Sequence, residues 1–277
     1  MKTVKTTVTL AALLSLVSPF LSAQEAKPSE KDYFSIKNEA VTLTAVEAGR
    51  DAVPPAPAGL GLLNVNKGAE GGLANAGLAA WSVITSGTPS AGYASAYASA
   101  IPGFSFNWGN IAEWKGPKEM VYQYKVTNLM GIDVINVKYK ISFYYGGTED
   151  YSGKGARLDS YVAQATGQNV KKDDKIHGRY ITNFTVQPVS VNVKWGWHFD
   201  LAVKMSDPMN IGTKMNPVAA LQASLNWTRT TPFSTNGGTM TYNVDGLGNF
   251  KDLTEQERAL TSEIGPVPVK TQAVSWN

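Results

Sequence analysis

The sequence predicts an all-β protein, an antiparallel β-sandwich of about eight strands with one short helix near the C-terminus. Three observations carry that expectation. From Val189 to Met205 the odd positions read Val189, Val191, Val193, Trp195, Trp197, Phe199, Leu201, Val203 and Met205, and the even ones are mostly polar. A strict period of two gives one apolar face and one wet face, which no α-helix provides. The pattern recurs at Ile135, Val137, Tyr139, Ile141, Phe143 and Tyr145, and again at Ala219, Leu221, Ala223, Leu225 and Trp227. Turn signals separate the runs at a spacing that suits a sandwich or barrel rather than an α/β enzyme fold. The central run is too long for one straight strand, so it is expected to bend at Gly196 and serve both halves of the sandwich. Trp195, Trp197 and Phe199 are expected to lie together in its core.

Met1 to Ala23 has the layout of a secretory signal: Lys2 and Lys5, an apolar core from Val8 to Phe20, and a small-residue cleavage site at Leu21-Ser22-Ala23. That core is too short to span a bilayer. The mature chain is therefore expected to be secreted, periplasmic or at the cell surface. Its removal takes the formal charge from +3 to +1, because two lysines leave with it. A nearly neutral chain offers nucleic acid no electrostatic footprint.

Residues 24–58 read as a flexible N-terminal arm and linker. Within them Val41, Leu43 and Ala45 suggest a short strand that can act as an edge, and Val53-Pro54-Pro55-Ala56-Pro57 an extended linker. Residues 59–102 are dominated by Gly, Ala and Ser and read as a long insertion, the least regular part of the chain beyond the arm. Leu73 to Ile84 suggests a short helix there. Tyr93-Ala94-Ser95-Ala96, repeated as Tyr97-Ala98-Ser99-Ala100, would set two tyrosines on one helix face.

Residues 103–277 are assigned to the sandwich domain. Tyr122, Tyr124 and Val126 share a strand face, and Asn128 to Asp133 is a turn. Gly146-Gly147, Asn236-Gly237-Gly238 and Asp245-Gly246 read as turns, Leu158 to Ala165 and Tyr180 to Val186 as strands, and Thr271 to Trp276 as a last strand. Thr254-Glu255-Gln256-Glu257 is a capping-box pattern opening the helix. A transmembrane barrel fits less well, because the aromatics of the central run lie mid-strand rather than in two girdles.

Little chemistry is written in the chain. It has no cysteine, which excludes disulfides, thiol catalysis and cysteine-ligated zinc. No Gly-x-Ser-x-Gly, His-Glu-x-x-His or EF-hand pattern occurs, and the histidines, His177 and His198, fall where charge or alternation predicts water. Glu149-Asp150 and Asp173-Asp174 read as solvated turn carboxylates, and Gly153-Lys154-Gly155 lacks the length of a phosphate loop. No catalytic residue, cofactor or metal is assigned. Of the seven tryptophans, Trp108 and Trp114, flanked by Gly109, Asn110 and Gly116, are the candidates for an exposed ligand platform, whereas Trp227 belongs to an apolar face.

The expected function is that of an exported, non-enzymatic protein acting by binding or self-assembly at the cell envelope or outside the cell. The partner is the protein itself or a glycan. The alternatives are a β-pore-forming protein that oligomerises on membranes, the one case with a membrane partner, and a carbohydrate-binding module. If neither histidine is catalytic, the double change His177→Gln with His198→Gln leaves thermal stability and binding nearly intact. Lost binding with an intact fold would place a histidine in a functional site.

Overall fold

The computed structural model describes residues 29–49, 54, 73–102, 111–149, 178–213 and 216–264. In chain order the elements are α1 (Glu30–Phe34), β1 (Ile36–Ala48), β2 (Leu73–Asn75), β3 (Ala80–Thr85), β4 (Thr88–Pro89), a 3₁₀ turn (Tyr93–Ser95) and β5 (Ala98–Pro102). They continue with β6 (Ile111–Ala112), β7 (Lys115–Asn128), β8 (Asp133–Glu149), β9 (Tyr180–Val193), β10 (His198–Met205) and β11 (Met209–Asn210). The last are β12 (Ala219–Thr231), β13 (Ser234–Asp245), β14 (Phe250–Asp252) and α2 (Thr254–Ile264). Two seven-stranded sheets form: one runs β1-β7-β8-β9-β5-β2 with β6 on β8, the other β14-β13-β12-β10-β3-β4 with β11 on β12. Among the described residues every pair of these strands is antiparallel, and one isolated bridge, Arg179 to Val218, is parallel. The all-β sandwich is therefore as expected, with additional strands of only two or three residues that the periodicity alone does not separate.

The alternating faces meet in one core rich in aromatic rings. Tyr124 of β7 stacks on Phe199 of β10 at 4.8 Å and lies 5.3 Å from Trp227 of β12. Tyr139 of β8 and Tyr242 of β13 share a hydrogen bond of 3.0 Å across the layers, and Tyr139 also reaches Met240 Sδ. These two buried phenols thus find partners, as low-dielectric surroundings favour.

The run from Val189 to Met205 is two strands rather than one. β9 belongs to the first sheet and β10 to the second, and the chain crosses between them at Lys194–Trp197. The expected bend at Gly196 is this crossing. Gly196 has φ +77°, and a Cβ there would stand 2.8 Å from the Phe34 ring, so glycine is required twice over. Trp197, Phe199, Leu201, Val203 and Met205 are buried, but Trp195 is 82% exposed and Val189 55%. Trp195 sits in the turn. Val189 is the extra residue of a β-bulge, since Lys138 faces Ser190 while Tyr139 faces Pro188. A bulge inverts the inward alternation, which passes from Phe184 and Val186 to Val191 and Val193. The expected burial of Trp195 with Trp197 and Phe199 is corrected accordingly.

The Gly/Ala/Ser-rich segment is also corrected, from residue 73 onward. Residues 73–102 form strands in both sheets, and in place of the two expected α-helices there is only the 3₁₀ turn at Tyr93–Ser95. Tertiary packing overrides helix propensity here. Ala96, Ala98 and Ala100 are buried, and Ser99 Oγ lies 3.1 Å from Thr182 Oγ1, so small side chains are what let β5 lie against β9. Within the N-terminal arm, residues 29–49 are regular rather than flexible: a capping box of Ser29 with Asp32 starts α1, and β1 pairs with β7 along its length. β8 runs through Gly146-Gly147, and the β12–β13 turn falls at Pro232-Phe233, leaving Asn236-Gly237-Gly238 inside β13. The turns at Asn128–Asp133 and Asp245-Gly246 lie as expected. α2 begins where predicted, yet Thr254 and Glu257 spend their side chains on β13: Thr254 Oγ1 accepts from Thr241 N, and Glu257 accepts from Thr241 Oγ1. Met1–Ala23, Leu158–Ala165, His177, Asp173-Asp174, Gly153-Lys154-Gly155 and Thr271–Trp276 lie outside the described residues.

The two neighbouring tryptophans therefore separate in their energetics. Trp197→Ala is expected to lose about 3–5 kcal/mol of stability, and Trp195→Ala to stay within about 0.5 kcal/mol, by urea denaturation. Equal losses would contradict the crossing.

Candidate functional site

Of the tryptophans singled out from the sequence, Trp108 lies outside the described residues. Trp114 is half-buried against the core, its indole pressed on Gly147 so closely that a Cβ there would fall 2.5 Å from the ring. His198 is exposed on β10. Among the described residues, no group of three His, Asp or Glu side chains is placed to hold a metal ion.

Convergent side chains occur elsewhere, at the open side of the sandwich. There β1 forms the rim of one sheet, while β13, β14 and α2 form the rim of the other. Between them lies a cleft of ≈ 560 Å³. Its floor is aromatic, made by Tyr122, Tyr124, Trp227 and Tyr242 with Met240. Val41 and Leu43 of β1 line one wall, and Glu39, Asp252 and Glu255 bring carboxylates to the rim. The topology explains the convergence. Alternation turns Tyr122 and Tyr124 inward from β7, β1 beside them is the last strand of its sheet among the described residues, and β14 pairs with β13 only from Tyr242 to Val244.

One wall is stiffened by a polar node. The Tyr124 hydroxyl donates to Glu39 Oε1 at 2.6 Å and accepts from Arg229 Nη1 at 3.1 Å, while Arg229 also forms an ion pair with Glu39. The guanidinium carbon stands 5.3 Å from the centre of the Trp227 ring. Burial works against the Arg229 charge, but the bonds to Glu39 and Tyr124 outweigh it and move its pKa up. Glu39 is thereby fixed at the cleft mouth with its charge largely spoken for. On the far rim Glu255 pairs with Arg258, whereas Asp252 has no ion-pair partner among the described residues.

Tyr122 differs from the other floor phenols. Its ring stacks on Tyr139 and packs on Tyr242, but its hydroxyl has no hydrogen-bond partner among the described residues. Burial pushes this phenol well above its ordinary value, and the nearby Asp252 charge adds to the effect. It therefore lines the cleft as a permanent donor. An aromatic floor, an unspent phenol and an uncompensated carboxylate suit a ligand with apolar surface and a cationic or hydrogen-bonding group. The sequence marks the tyrosines only as a strand face, and nothing local brings Glu39, Asp252 and Arg229 to them.

Two outcomes follow from this geometry. Tyr124→Phe strips two bonds from a buried arginine node and is expected to lose about 1–3 kcal/mol. Tyr122→Phe removes an unpaired hydroxyl and should be neutral or slightly stabilising in urea denaturation. The reverse order would contradict the node. Burial also raises the phenols of Tyr122, Tyr124, Tyr139 and Tyr242 above the ordinary 10.0. Below about pH 10 folded and unfolded chains hold these protons alike. Above it the unfolded chain releases them first, so stability should fall with rising pH up through the raised values. Stability that holds while all tyrosines ionise would count against their burial.

Comparison with known proteins yields no match: no family model, no curated protein and no solved structure matches this chain.

Proposed function

We propose that this is an exported, non-enzymatic binding protein that takes up an extended segment of another polypeptide at the open side of its sandwich. The observation that carries the reading is the placement of β1. It is a 13-residue edge strand, paired on one side only among the described residues, and it forms the wall of the cleft. An added strand would satisfy the free backbone groups of β1, which is how exposed sheet edges recognise extended peptides. Its side chains would alternate, so one in two would point toward the cleft. There the aromatic floor accepts an apolar stem, and Asp252 with the Tyr122 hydroxyl favours a basic or donor–acceptor tip. Export rests on the layout of Met1–Ala23 and the absence of cysteine from the chain. Support for a non-catalytic role is the lack of any nucleophile–base pair in the sequence motifs.

The test is fluorescence-polarisation binding of short peptides with alternating apolar residues, with and without a central Lys or Arg, followed by amide mapping. Peptides carrying the basic residue are expected to bind best and to perturb β1 amides. Tyr122→Phe should weaken them by roughly three- to ten-fold, the span of one net hydrogen bond. Leu43→Glu should weaken them by roughly ten-fold or more. Binding of soluble glycans at the cleft with no peptide binding would replace this reading by the carbohydrate one.

A further inference from the structure

An extended segment with a basic residue and alternating apolar ones follows α2 in the chain itself. After Ile264 the sequence reads Gly265-Pro266-Val267-Pro268-Val269-Lys270-Thr271-Gln272-Ala273-Val274-Ser275-Trp276-Asn277, which lies outside the described residues. A glycine directly after a helix, then a proline, is the signal that stops the helix and turns the chain. Pro268 suits the first residue of an edge strand, where its missing N–H is not needed. From Val269 onward the run is free of glycine and proline and contains the strand formers Val269, Thr271, Val274 and Trp276. With a period of two, Lys270, Gln272, Val274 and Trp276 share one face, and Val269, Thr271, Ala273 and Ser275 the other.

The cleft offers a match to the first of these faces. Lys270 is the one charged side chain of the segment. At the rim Glu39 is paired with Arg229 and Glu255 with Arg258, which leaves Asp252. The hydrogen bond Asp252 accepts from Thr254 N comes from a neutral group, so the carboxylate keeps its charge. Lys251, next to it on β14, pairs in register with Asn243 and by alternation faces away from Tyr242 and the cleft. Lys118 faces inward on β7 but is tied to the Gly248 carbonyl, beyond the cleft lining. On β1, Leu43 and Val46 stand opposite the inward-facing Tyr122 and Met120 yet stay 50% and 58% exposed, which leaves apolar area for Val274 and Trp276 to cover.

The tether decides which copy supplies the segment. α2 starts at the rim, where Thr254, Glu255 and Arg258 line the cleft, and Thr254 and Glu257 bind it to β13. Its 11 residues measure about 16 Å. Six extended residues cover about 20 Å, so Lys270, the sixth after Ile264, can return along the helix to its start beside Asp252. A segment held this close meets the cleft at an effective concentration of roughly millimolar, well above that of a second copy in dilute solution.

We infer that Val269–Trp276 of the same chain is the resident occupant of the cleft, added to the free edge of β1 as a further strand with Lys270 beside Asp252. This rests on the peptide-binding reading of the same cleft, and it makes the site self-inhibited: an incoming peptide has to displace the chain's own segment.

The test compares the chain lacking Met1–Ala23 with two variants of it. One carries Val274→Asp with Trp276→Asp; the other ends at Ile264 and keeps every described element. The probe is a fluorescein-labelled synthetic peptide copying residues 267–277, read by fluorescence polarisation, with β1 amide exchange measured on the unliganded proteins. Both variants are expected to bind the probe roughly ten-fold tighter than the parent, because a millimolar tether no longer competes. Their β1 amides should exchange faster than the parent's. Lys270→Glu in the full chain should give a smaller gain of roughly three-fold, the span of one partly exposed ion pair. Thermal melts identify the folded forms, and the point variant serves if the truncation does not fold. Equal probe affinity for parent and variants, with β1 perturbed in each, would overturn the self-inhibition and leave the peptide-binding reading standing. Failure of the probe on both variants, while other basic peptides bind at β1, would do the same. If no peptide binds any form, the reading of the cleft falls and the inference with it. Dimers of the parent that both variants abolish, seen by light scattering, would place the segment in a second copy and overturn the intramolecular arrangement.

Discussion

The structure depends on one passage of chain, the four residues from Lys194 to Trp197 that carry it from the first sheet into the second. Before them β9 is zipped to β8; after them β10 is zipped to β12 and β3. Two sheets that pack face to face need side chains delivered to both inner faces. Here a single alternating sequence supplies both, provided the backbone can reverse at Gly196 without meeting Phe34. The ring of Phe34 lies against the glycine, between Trp197 and Phe233, so α1 is part of the crossing rather than an appendage.

That arrangement also shapes the surface. Because the turn is tight, one of its two tryptophans has to point into the core and the other away from it, and Trp195 is the one expelled. Its neighbours at the same end are the other hairpin tips of the sandwich, which is why apolar residues far apart in sequence are displayed together. The cleft has a different origin. β1 and β14 end their respective sheets, and α2 is docked through Thr254 and Glu257 to β13 rather than drawn over the gap. The aromatic floor is then the edge of the core itself, seen between two sheets that do not close.

What the sequence made legible was the part governed by period and local chemistry. Alternation identified β7, β8, β10 and β12, Asp245-Gly246 marked a real turn, and Thr254 marked a helix start. Alternation also misled, because a period of two survives a change of sheet: Val189 keeps it only by being a bulge residue, and Trp195 only by being a turn residue. Composition misled where small residues were read as loop or helix, although in β5 they are the condition for close packing against β9. Gly237-Gly238 looks like a turn, yet Gly238 lies in a strand beneath the Trp227 indole, where a Cβ would stand 2.8 Å from the ring. The cleft was the least legible feature. Its members come from β1, β7, β12, β13, β14 and α2, and only the pairing of distant strands brings Glu39 to Tyr124 and Arg229.

A double-mutant cycle between Gly196 and Phe34 tests the crossing most directly. Gly196→Ala forces a non-glycine residue to φ +77° and presses a methyl on the Phe34 ring. The first effect alone is worth about 1–2 kcal/mol. In a Phe34→Ala background the ring is gone and only the backbone term remains, so the loss from Gly196→Ala should shrink by about 1 kcal/mol or more in urea denaturation. Strictly additive losses would mean that ring and glycine do not meet, and that the passage between the sheets is not built in this way.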